Sequence, residues 1–130
     1  MTSEGHATRR QWLYLAATLG LIAVGTFPWD LQNHPHPYKV AWAPFVTGVV
    51  RPQDLLLNAL LYFPVGYFLP LQSRRTRVLW TAGLALLVSG LLEYCQVWSH
   101  SRFPSSTDLV MNVAGSIAGA LAGTRHGPRA

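Results

Sequence analysis

A chain of 130 residues has room for one domain. Half of its residues are hydrophobic and 12% are charged, which is about half the charge of a typical soluble domain and therefore favours a membrane protein. The net charge of +5 comes mostly from arginines in short clusters between apolar runs, a distribution that indicates membrane orientation and argues against a nucleic-acid partner.

Four apolar segments follow one another along the chain, and each is predicted to form a transmembrane helix. A helix needs roughly 17–25 residues to cross the hydrocarbon core of a membrane. The third segment, "VLWTAGLALLVSGLLEYCQVW", meets this length easily, whereas the first two are near the lower limit and the fourth is short. The predicted fold is therefore all-α, an integral membrane bundle of four transmembrane helices at about residues 12–28, 54–71, 78–98 and 108–123.

The first segment also has features of a secretory signal peptide. It follows Arg9 and Arg10, it is apolar in the middle, and it ends in the small residues Ala23 and Gly25. The apolar run nevertheless continues through Phe27, and three further membrane segments follow. We therefore expect a first helix that is not cleaved.

The basic residues are divided unequally between the two sides of such a bundle. With four spans, the N-terminus (residues 1–11), the loop 72–77 and the basic tail (residues 124–130) share one side, which carries Arg9, Arg10, Arg74, Arg75, Arg77, Arg125 and Arg129. The opposite side carries Lys39, Arg51 and Arg102. Because positive residues favour the cytoplasmic side, both termini are predicted to be cytoplasmic.

This orientation brings polar residues of three segments to the extracytoplasmic face. Asp54 and Asn58 open the second segment, Asp108 and Asn112 open the fourth, and the four-residue spacing places each pair on one face of its helix. The third segment carries polar residues near its outer end. We predict a polar pocket that opens outward and is lined by Asp54, Asn58, Glu93, Gln96, Arg102, Asp108 and Asn112.

Glycines continue the polar face of the fourth segment. Gly115, Gly119 and Gly123 recur every fourth residue, and they lie with Asp108 and Asn112 within a stripe of about 80°. Small residues at this spacing let another helix approach closely in a membrane. The stripe is therefore predicted to pack against protein rather than lipid.

Four stretches of the sequence are similar to those of a known family. They are "DLLLNALLYFPVGYFLP", "SGLLEYCQ", "RFPSSTD" and "DLVMNVAGSIAGALAG", in this order over about residues 51–123. In them the chain resembles the VanZ-like family of small bacterial membrane proteins. The resemblance implies that residues 12–123 form a VanZ-like transmembrane domain in the bacterial cytoplasmic (inner) membrane. It also implies a link to reduced sensitivity towards teicoplanin-type lipoglycopeptides, and it implies no particular reaction.

Three functional hypotheses follow. The first is an envelope protein whose pocket binds an amphiphile or a lipid head group. This binding would change how the cell surface interacts with lipoglycopeptides. The second is a small membrane enzyme that uses Glu93, with Asp54 and Asp108 as further candidates, for acid–base chemistry on a lipid-linked or cell-wall substrate. The third is a helper subunit whose glycine stripe docks on a larger membrane protein.

Each polar residue also has a structural interpretation. The carboxyls and amides could hold the helices together by hydrogen bonds, and Arg102 could pair with Glu93 or Asp108 instead of binding a ligand. Expected partners are membrane lipid, a lipoglycopeptide or lipid-linked envelope ligand, and a second copy or another membrane protein.

No cofactor or metal is expected. "HPH" in a proline-rich loop, with His100 elsewhere, is a weak metal signal. The single cysteine, Cys95, excludes an internal disulfide, and it is interpreted as a packing residue.

Overall fold

The structure is a computed structural model that describes residues 3–27, 30–47, 50–71 and 73–124. These residues form an all-α protein, as predicted, with α1 at Ser3–Thr26, α2 at Pro52–Phe68, α3 at Arg74–Gln96 and α4 at Ser106–Thr124. A single 3-10 turn lies at Pro37–Lys39, and extended pairing within the described ranges is limited to isolated bridges. The all-α class is therefore confirmed.

The helix ends differ from the predicted bounds where local chemistry decides them. α1 begins at Ser3 rather than at residue 12. α2 begins at Pro52, because the fixed φ angle of proline suits the first helical position. It ends at Phe68 rather than at residue 71, because Pro70 forces the preceding Leu69 out of the helical region, to a ψ of 120°. α3 ends at Gln96, two residues before the predicted end.

The closest packing in the protein is between α2 and α4. A Cβ added to Gly115, Gly119 or Gly123 would come within 3.0 Å of the α2 backbone, closer than real Cβ atoms approach. From the other side, a Cβ on Gly66 of α2 would overlap the carbonyl of Ser116 in α4. The glycine stripe of α4 is thus covered by α2 of the same chain. It is therefore not free to dock on a larger partner, as the third hypothesis requires.

The first helix is part of the packed unit. Leu21 of α1 is 2% exposed and forms a core cluster with Tyr62 and Val65 of α2 and Ala85 of α3. Side chains packed against this cluster include Tyr14 from α1 and Val113 from α4. All four helices therefore contribute to one apolar core.

Membrane-spanning character is clearest for α3. Among the described helices, α3 is the one that is long and apolar enough to cross a membrane, judged by length and composition, and 17% of its apolar window is buried in the protein. α2 has 17 residues, the first turns of α1 contain Arg9 and Arg10, and Asp108 and Asn112 make α4 more polar. The four-span arrangement accordingly stays a prediction.

Candidate functional site

A cavity of about 900 Å³ lies where α2 and α4 begin and α3 ends. The structure brings all seven residues of the predicted pocket to its lining, namely Asp54, Asn58, Glu93, Gln96, Arg102, Asp108 and Asn112. The two helix starts and the helix end lie together because α2 and α4 both run antiparallel to α3. Residues that are far apart in sequence therefore share one chamber.

The cavity also has walls that the sequence did not indicate. The prediction drew the pocket from the last three helices, whereas α1 contributes Leu21, Val24 and Gly25, and the loop after α1 contributes Lys39, Ala41 and Thr47. The polar pattern at the start of α2 and α4 carried no information about α1, which has no acid or amide near its end. The signal available was the length of the loop, which is long enough to cross the cavity.

Glu93 is held by the backbone of the turn that follows α3. Its Oε2 accepts a hydrogen bond from the backbone N–H of Ser105 at 2.8 Å. The sequence suggested an amide of a neighbouring helix or Arg102 as its partner. The backbone donor was missed because the turn folds back over the end of α3, and side-chain patterning does not report such backbone placement.

Acidic side chains and Arg102 form an electrostatic group at the mouth of the cavity. Asp108 lies beside the Asn58 amide and close enough to Asp54 for the two carboxylates to repel each other. Arg102 is near enough to attract both Asp108 and Glu93. The mouth therefore holds charges of both signs, which suits a ligand head group that itself carries both.

Two amides of the cavity lining make polar contacts between helices. The Asn112 amide nitrogen donates to the Ser89 hydroxyl at 2.8 Å and so links α4 to α3. The Gln96 amide nitrogen donates to the Gly25 carbonyl at 3.2 Å and links α3 to α1. Gln96 and Asn112 thus hold helices together as well as lining the cavity.

The loop after α1 is fixed across the turn that follows α3. Gln32 N–H donates to the Trp98 carbonyl at 2.7 Å, and Ala41 N–H donates to the Pro104 carbonyl at 2.9 Å. The Phe45 N–H donates to the Thr107 hydroxyl at 2.8 Å, with Phe45 at a φ of 60°, a conformation that non-glycine residues seldom adopt. These bonds make residues 30–47 a cover over one side of the cavity.

Asp30 anchors the beginning of this cover. Its carboxylate accepts hydrogen bonds from the Ser99 hydroxyl and, at 3.1 Å, from the Ser101 N–H. Hydrogen bonds from Ser101 and then from Ser99 hold the pKa of the Asp30 carboxyl below its ordinary value. The anchor was not indicated by the sequence.

The histidines of the cover form an aromatic cluster rather than a metal site. The His36 ring lies edge-on to His34, with centroids 4.7 Å apart, and to His100, with centroids 5.9 Å apart. Burial, followed by the positive charge of Lys39, lowers the pKa of His36. Over the part of the chain that the structure describes, no group of three or more His, Cys, Asp or Glu could hold a metal ion. Cys95 is exposed rather than packed, so its interpretation as a packing residue is wrong.

Fold and site together define a small helical protein whose described residues include one membrane-capable helix and form a polar cavity at one end of the helices. A model of the VanZ/LLP1 family matches residues 11–124, so the chain belongs to this family, as the resemblance in "DLLLNALLYFPVGYF" and "DLVMNVAGS" indicated. No curated protein and no solved structure gives a significant match.

Proposed function

We propose that this VanZ/LLP1-family chain spans the bacterial cytoplasmic membrane four times, with both termini in the cytoplasm and the cavity at the extracytoplasmic surface. Large apolar side chains are exposed on every helix, including Leu19, Leu60, Leu87 and Val110, as expected for surfaces that face lipid. Arg10 and the basic 74–77 turn lie at the end of the bundle opposite the cavity. The positive-inside tendency then directs that end to the cytoplasm.

The cavity in this orientation binds an amphiphile. The observation that carries the proposal is the lining of the cavity. It combines seven polar residues at one end with the apolar side chains of Leu21, Leu55, Leu61 and Leu92. Its volume of about 900 Å³ falls within the range of roughly 300–1,000 Å³ of small-molecule sites. A polar head can be held by charges and amides while its apolar part contacts the leucines.

When an amphiphile of the cell surface binds in this cavity, the sensitivity of the cell to teicoplanin-type lipoglycopeptides falls. These antibiotics are themselves amphiphiles. A protein that binds amphiphiles at the outer surface can therefore bind the antibiotic itself or compete with it for the same lipids. Support comes from family membership together with the mixed polar and apolar lining of the cavity.

Glu93→Gln tests this function. Glutamine keeps the shape and can still accept the Ser105 N–H, but it removes the negative charge from the cavity. We expect cells carrying the variant to become as sensitive to teicoplanin as cells without the gene, with the vancomycin response unchanged and normal protein levels in the membrane. The matched control is Cys95→Ser, an exposed position on the same helix outside the cavity lining, which should protect as the unaltered protein does.

Two results would contradict the proposal. A teicoplanin response that does not depend on the gene would remove the link to resistance. Full protection by Glu93→Gln would show that the charge in the cavity is not needed for it.

A further inference from the structure

The inner end of the cavity contains a buried acceptor without a partner. Asn112 is 5% exposed and lines the cavity, and its Oδ1 has no hydrogen-bond partner. The other end of the amide, Nδ2, is committed to Ser89, which does not line the cavity. Oδ1 is therefore the end of the amide that is left free for a ligand.

An unpaired buried acceptor is costly to a folded protein, so its position points to a ligand that donates a hydrogen bond. Asn112 follows Asp108 by four residues in α4, and Ser89 precedes Glu93 by four residues in α3. Four helical residues span about 6 Å along the axis. The acceptor thus lies one helical turn below two carboxylates.

This arrangement distinguishes between ligand groups. An anionic group at this depth would meet repulsion from Glu93 and Asp108. A hydroxyl would satisfy Oδ1 but would add no positive charge to that of Arg102, which alone faces both carboxylates. A primary ammonium satisfies both, because it has three N–H donors and a positive charge in a compact volume.

The mouth of the cavity also carries positive charges. Arg51, Arg102 and Lys39 are in the lining, and guanidinium groups recognise phosphate and carboxylate by paired hydrogen bonds. A head group with an outer anion and an inner ammonium would therefore match the order of charges along the cavity.

We propose that the cavity selects amphiphiles whose head group carries a primary ammonium, which donates to Asn112 Oδ1 beneath Glu93 and Asp108, while Arg51 and Arg102 contact its anionic part. This inference rests on the proposed amphiphile-binding function and names the class of head group. The ammonium can belong to a phospholipid of the bilayer or to an amphiphile that arrives from outside, and the two sources are separated below.

The test uses the full chain purified in detergent and measures thermal stabilisation and Kd with added lipid. The probes are phosphatidylethanolamine, its N-monomethyl and N,N-dimethyl forms, phosphatidylcholine and phosphatidylglycerol, with the same acyl chains. Affinity should fall as methyl groups replace N–H donors, by about tenfold from phosphatidylethanolamine to phosphatidylcholine, the size of one hydrogen bond to a charged group. A long-chain alkylammonium without phosphate is the probe for a water-borne source.

Three variants test whether Asn112 Oδ1 causes the preference for phosphatidylethanolamine over phosphatidylcholine. Asn112→Leu removes the acceptor and should abolish the difference between phosphatidylethanolamine and phosphatidylcholine. Ser89→Ala breaks the same Asn112–Ser89 hydrogen bond but leaves Oδ1 in place, so the difference should persist. Asn112→Asp keeps an acceptor oxygen, adds charge and should increase the difference, which keeps the test decisive if Asn112→Leu does not fold.

The outcomes separate this inference from the function on which it rests. Equal binding of all five phospholipids, or selectivity that survives in Asn112→Leu, would overturn the ammonium inference while leaving amphiphile binding intact. Binding of the alkylammonium alone would support the ammonium chemistry and assign it to a water-borne source. If neither aminolipid nor alkylammonium binds, the ammonium inference is wrong, whereas the proposed function is judged separately by the teicoplanin response of Glu93→Gln.

Discussion

Gly119→Ala is expected to destabilise the helix bundle by about 3 kcal/mol, the upper part of the usual range for overpacking. The added methyl group would overlap the carbonyl oxygen of Phe63 and lie 2.9 Å from the backbone nitrogen of Tyr67. Both are main-chain atoms, so no side chain can rotate to make room. α2 and α4 must therefore separate, and this lost contact is the most extensive one in the protein.

Gly83→Ala is the matched control for this variant. Gly83 lies within a helix, as Gly119 does, but nothing lies within 4 Å of the position a Cβ would take. Alanine there should be neutral or stabilising by about 0.5–1 kcal/mol, because glycine is a poor helix residue. Unfolding of both variants in mixed detergent, followed by circular dichroism, gives the comparison. A Gly119→Ala protein as stable as Gly83→Ala would mean that the α2–α4 contact is looser than described.

Arg77→Met is expected to cost about 2 kcal/mol, the size of a hydrogen bond to a charged group. Arg77 is 4% exposed, and its Nε and one terminal nitrogen both donate to the Leu71 carbonyl just after α2. Arg10 donates to the Tyr67 carbonyl at 3.0 Å nearby, so two cations neutralise the negative end of α2. Methionine preserves the length of the side chain but leaves the Leu71 carbonyl without this donor.

Arg75→Met separates this local effect from a general loss of positive charge. Arg75 is exposed on the same turn, and both substitutions remove one positive charge from the same end of α3. Arg75→Met should stay within about 0.5 kcal/mol of the original protein. Equal unfolding free energies for the two variants would show that the buried guanidinium contributes no more than an exposed one, as happens when desolvation offsets the hydrogen bonds.

The sequence was sufficient to predict those structural features that depend on a pattern repeated along one helix face. Asp108, Asn112 and the three glycines of α4 share a stripe at helical spacing, and this stripe faces protein in the structure. The order of apolar segments likewise predicted four helices, and the spaced acids and amides identified the residues that the cavity gathers. In each case the information is carried by side chains at fixed intervals.

Contacts made by the backbone of irregular segments could not be predicted in this way. The Ser105 N–H that binds Glu93 and the bonds that fix Ala41 and Phe45 depend on the path of two loops. Loop paths follow from tertiary packing rather than from periodicity. The role of α1 was missed for a related reason, because Leu21 and Gly25 look like ordinary lipid-facing residues until Gln96 and Leu92 are placed beside them.

The most direct test of the cavity and its orientation is thiol accessibility in intact cells. Cysteine would replace Asn58, which lines the cavity, or Leu60, an exposed residue of the same helix that the proposal directs to lipid, in a chain whose exposed Cys95 is changed to alanine. A small membrane-impermeant methanethiosulfonate added outside should modify the cysteine at position 58 and leave the one at position 60 unmodified. Modification at position 58 only after the cells are permeabilised would contradict a cavity that opens to the exterior.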